Sequence, residues 1–259
     1  MPDAPKGTPA RPLILIPVTA EDVARRKRRI IASICAVALA AAALAGWLYK
    51  RSVDPIHARQ SYDAGVALLK IARYNQAILS FDRAVALEPA MADAYLMRGR
   101  AYAGETETER AIPDFSRAIQ LQPNDTRALL DRASAYIDLK NFQSAVQDAS
   151  RAIAVDPKLA LAYNLRGTAL RSLGDARKAL ADFSRAVDLA PNADNYFQRG
   201  ATYQILGEHQ NAIADFSQVI ARKPDEAPSY FARAESRRAV GDRKGAEADH
   251  QRGRMIDAR

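Results

Sequence analysis

Residues 160–191 read ALAYNLRGTALRSLGDARKALADFSRAVDLAP, and this stretch decides the fold. It divides into two amphipathic segments around Gly174 and stops at Pro191. Tyr163, Gly167, Ala179, Phe183 and Ala186 fall at the three- and four-residue spacings that put side chains on one helical face. The unit therefore predicts two short helices, a tight turn where a glycine reaches left-handed backbone cheaply, and a proline that cannot continue the second helix. A lone hairpin of this size cannot bury its apolar face, so it must be stacked.

Along the chain, Pro89, Pro123, Pro157 and Pro191 are each 34 residues apart, and Pro224 follows after 33. Small residues recur in register at Gly65, Gly99, Ala133, Gly167, Gly200 and Ala234. Alanines recur at Ala77, Ala111, Ala145, Ala179, Ala212 and Ala246, with Phe81, Phe115, Phe183 and Phe216 four residues on. Aromatics in one helix opposite small residues in its neighbour read as knobs and holes. Two polar columns accompany them: Arg98, Arg132, Arg166, Arg199 and Arg233, and, sixteen residues later, Asp114, Asp148, Asp182, Asp215 and Asp249. Copy one has Ala64 and Ser80 instead. Joint absence predicts that each arginine pairs with the aspartate of its own repeat, bracing the hairpin rather than catalysing a reaction.

Local punctuation refines the picture. Gly104, Gly174, Gly207 and Gly241 read as turn glycines, and Asn141, Asp175 and Asp242 as caps of second helices. In copy two, Gly104-Glu105-Thr106-Glu107-Thr108-Glu109 followed by Pro113 predicts a longer or looser turn, with Pro113 in or near the first helical turn. In the last copy His250 replaces the aromatic and Gly253 the packing alanine, and a polar second helix reads as a cap for an open end.

These columns resemble the tetratricopeptide repeat (TPR) family over about residues 58–259. The resemblance implies an all-α, right-handed solenoid of about six helical hairpins, with repeats at 58–91, 92–125, 126–159, 160–192, 193–226 and 227–259. It also implies a concave groove lined by the first helices. Its expected lining is Tyr62, Leu96, Met97, Arg100, Leu130, Ser134, Asn164, Thr168, Arg171, Phe197, Gln198 and Phe231. Such a mixed surface suits an extended peptide or amphipathic helix of a protein partner. Leu96, Leu130 and Phe197 could instead contact a neighbouring repeat.

Upstream the composition changes. Of the net charge of +8, residues 1–51 carry +6 and the repeat region only +2, so the repeats give no support for nucleic-acid binding. Pro2, Pro5, Pro9, Pro12 and Pro17 predict a disordered tail over 1–29, interrupted by the apolar run Leu13–Val18. Arg25–Arg29 then precede an uncharged run, Ile30–Tyr49, whose twenty residues would span about 30 Å as a transmembrane helix. Trp47 and Tyr49 suit the far interface, and residues 50–57 read as an extended linker. Six cations on the N-terminal side against three on the other predict a single-pass inner-membrane protein, its tail cytoplasmic and its repeats periplasmic. Ala43-Leu44-Ala45 leaves open a cleaved signal peptide and a soluble exported product.

Cys35 is the one cysteine, and His57, His209 and His250 lie far apart. No catalytic set, phosphate loop, metal site or cofactor site is expected, and no enzymatic activity. The leading expectation is a membrane-tethered scaffold for a protein partner in cell-envelope assembly or secretion. The alternative is a self-associating, homo-oligomeric array.

Overall fold

The computed structural model describes residues 20–258. Twelve α-helices and no strand occur among them: α1 (Ala20–Lys70), α2 (Tyr74–Leu87), α3 (Ala92–Gly104), α4 (Thr108–Leu121), α5 (Thr126–Asp138), α6 (Phe142–Val155), α7 (Ala160–Ser172), α8 (Ala176–Leu189), α9 (Ala193–Ile205), α10 (His209–Arg222), α11 (Ala227–Ala239) and α12 (Arg243–Asp257). The chain divides into two compact units, residues 1–54 and 55–259.

In the first unit, Arg25–Trp47 is long and apolar enough to cross a membrane, with a mean hydropathy of 2.2 and none of its described side chains buried. Ile34, Val37 and Leu39 are all exposed, Leu39 at 72 %. The expected tail is corrected in part. Residues 20–29 are helical, because the last tail proline is Pro17 and nothing beyond it blocks a helix. Glu21 and Arg25 pair at 3.1 Å, one turn apart. The run Leu13–Val18 lies outside the described residues. The expected extended linker is also corrected, since residues 50–57 are helical with Pro55 inside α1.

The second unit is a solenoid of hairpins in which each helix from α2 to α11 packs on the next in sequence. Every first helix is joined to its second by three residues, copy two included. The looser turn expected there is absent. Thr106 takes the left-handed conformation itself (φ 64°), and Glu107 N–H reaches the Tyr102 carbonyl at 2.9 Å. Gly174 supplies the same geometry in α7–α8 (φ 91°), where Asp175 N–H reaches Leu170 O at 2.9 Å. Pro113 therefore lies in the second turn of α4, a helix that runs regularly from Thr108. Gly104 is not the turn residue but the last of α3. A Cβ there would meet the Tyr74 ring at 2.6 Å.

The buried core follows the columns. Phe81, Phe115, Phe183 and Phe216 are almost wholly buried among alanines. Each Phe ring lies where a Cβ on the facing glycine would be, from 2.6 Å at Gly65 and Gly99 to 3.0 Å at Gly200. Copy three is complementary: Ala133 stands opposite Ala149, so the ring and the hole are exchanged together. Asn141 and Asp242 cap their helices as expected, accepting from Ser144 N–H and Gly245 N–H. Asp175 does not cap α8, because its carboxylate is held by Lys178 Nζ at 2.9 Å.

Candidate functional site

The polar columns separate bracing residues from binding residues. Arg98, Arg132, Arg166, Arg199 and Arg233 each donate through Nε and Nη2 to both oxygens of the aspartate sixteen residues on, at 2.6–2.9 Å. All five aspartates are buried. The third guanidinium prong does something the sequence reading missed. Arg98 Nη1 reaches Asp82 at 2.7 Å, Arg132 Nη1 reaches Ser116 at 2.8 Å, and Arg233 Nη1 reaches Ser217 at 2.9 Å. Each of these acceptors belongs to the second helix of the preceding hairpin, so one arginine ties three helices. The hydrogen bond from Arg98 to Asp114 holds its guanidinium well above the ordinary arginine range, against a burial that lowers it.

The expected groove residues then sort into two groups. Leu96 and Leu130 are buried in the inter-repeat core and offer no surface. Tyr62, Phe197 and Phe231 rest against Phe81, Phe216 and His250, with ring centroids 5.5–6.0 Å apart. Several polar members clasp adjacent first helices. Arg100 pairs with Asp131 at 2.5 Å, and Asn164 donates to Asn195 Oδ1 at 2.8 Å. Arg171 donates to the Gln198 side chain and backbone carbonyl and to Thr202 Oγ1. Burial pushes the Arg171 guanidinium below its ordinary value, with no carboxylate beside it.

Met97, Ser134 and Thr168 keep partly or fully open side chains without such a clasp. The sequence reading missed two apolar neighbours of this stripe. Leu161 (55 % exposed) lies seven residues before Thr168, and Ile205 (62 %) seven after Gln198. The i, i+7 spacing from residues already on the stripe was the available signal. A shallow hollow on α3 and α5 is lined by Arg100, Ala103, Asp131, Ser134 and Asp138, among others. Within it, burial raises the Asp131 carboxyl above its ordinary value, while the hydrogen bond from Arg100 pulls it back in part.

Among the described residues no group of three His, Cys, Asp or Glu side chains is placed to hold a metal ion. Cys35 is exposed within the apolar segment.

Comparison with known proteins agrees with this architecture. One tetratricopeptide repeat model matches residues 62–126 and 130–194, and a second matches 193–226. A search of curated proteins returns no match. Among solved structures, MamA residues 41–end from Desulfovibrio magneticus RS-1 aligns with a TM-score of 0.61 at 20% identity, over 66% of this chain and 97% of that one. PilF of Pseudomonas aeruginosa gives 0.67 at 16% identity, over 76% and 90%. YrrB, described as a TPR protein with an unusual peptide-binding site, gives 0.58 at 21%, over 69% and 92%.

Proposed function

Because the chain belongs to the tetratricopeptide repeat family, a family of protein-interaction modules, we propose that it is a membrane-tethered scaffold. Its first-helix face binds a peptide or helix of a partner protein. The observation that carries the tether is the Arg25–Trp47 segment, whose described apolar side chains are exposed along its length. Exposed Ile, Val and Leu along a whole helix are stable in hydrocarbon and unfavourable in water. The basic run before it orients the tail to the cytoplasm and the repeats to the periplasm. A role in envelope assembly or secretion follows from that location.

On the repeats, partner contact falls to what the clasps leave free: Met97, Ser134, Thr168, Leu161 and Ile205, with the outer edges of Tyr62, Phe197 and Phe231. These are apolar anchors separated by small hydroxyls, a composition suited to an amphipathic ligand. The same fold carries a peptide-binding site in YrrB.

The test is photocrosslinking in intact membranes from a reactive amino acid placed at Thr168, with the exposed second-helix position Arg185 as control. The expected result is one protein adduct from position 168 and none from 185. Adducts only between copies of this chain would replace the scaffold by a self-associating array.

A further inference from the structure

The face of α12 that carries Arg243, Glu247, His250 and Arg254 corresponds, position for position, to Ala176, Leu180, Phe183 and Val187 of α8, and to Tyr74, Ile78, Phe81 and Val85 of α2. In the earlier hairpins this face receives the first helix of the next repeat. Tyr74 shows the contact directly, its ring lying where a Cβ on Gly104 of α3 would be. Arg238 likewise corresponds to Arg171 and Gln204, both of which hydrogen-bond into the next first helix.

At α11–α12 no described residue occupies that seat. In its place is an open hollow of about 800 Å³ lined by Arg238, Arg243, Glu247, His250, Gln251 and Arg254. The positions held by Ile78 and Val85 in α2 and by Leu180 and Val187 in α8 have become Glu247 and Arg254. Three guanidiniums converge on the hollow, and among the described residues none of the three is paired with a carboxylate. Glu247 is the one acid on its wall. A cap needed only for solubility could carry balanced charge. This one has the outline of a helix seat and an excess of unpaired cations.

We propose that the α11–α12 face is a second docking site, separate from the first-helix face, and that it takes an acidic helix of a partner protein. The helix lies where a following first helix would lie. Its carboxylates meet Arg238, Arg243 and Arg254, a charge complementarity that speeds encounter and weakens with salt.

The experiment uses the full chain in detergent micelles and a fluorescent Ala/Glu helical peptide, with an Ala/Gln peptide and an unstructured Gly/Glu peptide of equal charge as references. Binding is followed by anisotropy at low and high salt. The Ala/Glu helix is expected to bind tightest, and R238Q/R243Q/R254Q to weaken it by about tenfold or more, the factor equivalent to about 1.4 kcal/mol. The charge-matched variant R83Q/R117Q/R185Q, altered on other exposed helix positions, should weaken it by less than about threefold, under half that free-energy change. Circular dichroism melting confirms that both variants are folded. Equal losses in the two variants would reduce the effect to net charge. Equal binding of the unstructured peptide would remove the helix seat, and no preference for the Ala/Glu peptide would remove the site.

Discussion

The Arg166 guanidinium forks onto the Asp182 carboxylate, Nε to Oδ2 at 2.8 Å and Nη2 to Oδ1 at 2.7 Å, joining α7 to α8 across a buried seam. The aspartate side chain is 7 % exposed and the arginine 26 %. Removing the acid leaves a half-buried cation without its partner. Asp182→Ala should therefore lower stability by about 3 kcal/mol, the lower end for breaking a buried pair. Replacing both residues by leucine should recover most of that loss. Chemical denaturation of the two variants decides it, and an unchanged midpoint for Asp182→Ala would contradict the brace.

Thr106 holds φ at 64° where α7–α8 has Gly174. A branched side chain in left-handed backbone costs about 1–2 kcal/mol. Glycine relieves that strain but enlarges the unfolded ensemble, so Thr106→Gly should stabilise by about 0.5–1 kcal/mol. The readout is a rise in melting temperature. The reverse change, Gly174→Thr, should lower it.

The ring-and-hole exchange predicts a non-additive pair. Ala149→Phe should destabilise copy three by about 2 kcal/mol, because Ala133 fills the space the ring needs. Adding Ala133→Gly should rescue it, while Ala133→Gly alone should not stabilise. A double-mutant cycle reads the coupling, and additive effects would contradict the packing.

Asp125 caps α5 and predicts a pH dependence of stability. Burial would raise its carboxyl, but the side-chain and backbone hydrogen bonds from Arg127 outweigh burial and hold it below the ordinary 3.8. A depressed folded value means stability that is present above 3.8 and lost as the pH falls through that lower value. Asp125→Asn, which retains an oxygen for the cap, should be destabilising at neutral pH and converge on the wild type under acid. Melting curves across the acid range measure the convergence.

Much of the fold was legible because repetition exposes packing: the glycine, alanine and phenylalanine columns are direct traces of helices in contact. The Arg98–Asp114 type of pairing was legible from joint loss in copy one. Three kinds of feature were not. Thr106 could replace glycine at a left-handed position because three backbone bonds and the neighbouring helices over-determine that turn. The clasps Arg100–Asp131 and Asn164–Asn195 join residues 31 apart in different repeats, and no column of identical residues announces them. With Arg171–Gln198, they are why four of the twelve expected groove residues serve to hold the stack. The helical residues 20–29 and 50–57 were obscured by the prolines around and within them, whose effect is local.

The proposed function requires residues 25–47 to hold the repeats at a bilayer. Flotation of the full chain with lipid vesicles through a density gradient, after an alkaline carbonate wash, tests it against a variant lacking those residues. The full chain should rise with the lipid and resist the wash, and the shortened variant should stay folded at the bottom. Recovery of the full chain in the carbonate-soluble fraction would contradict the tether.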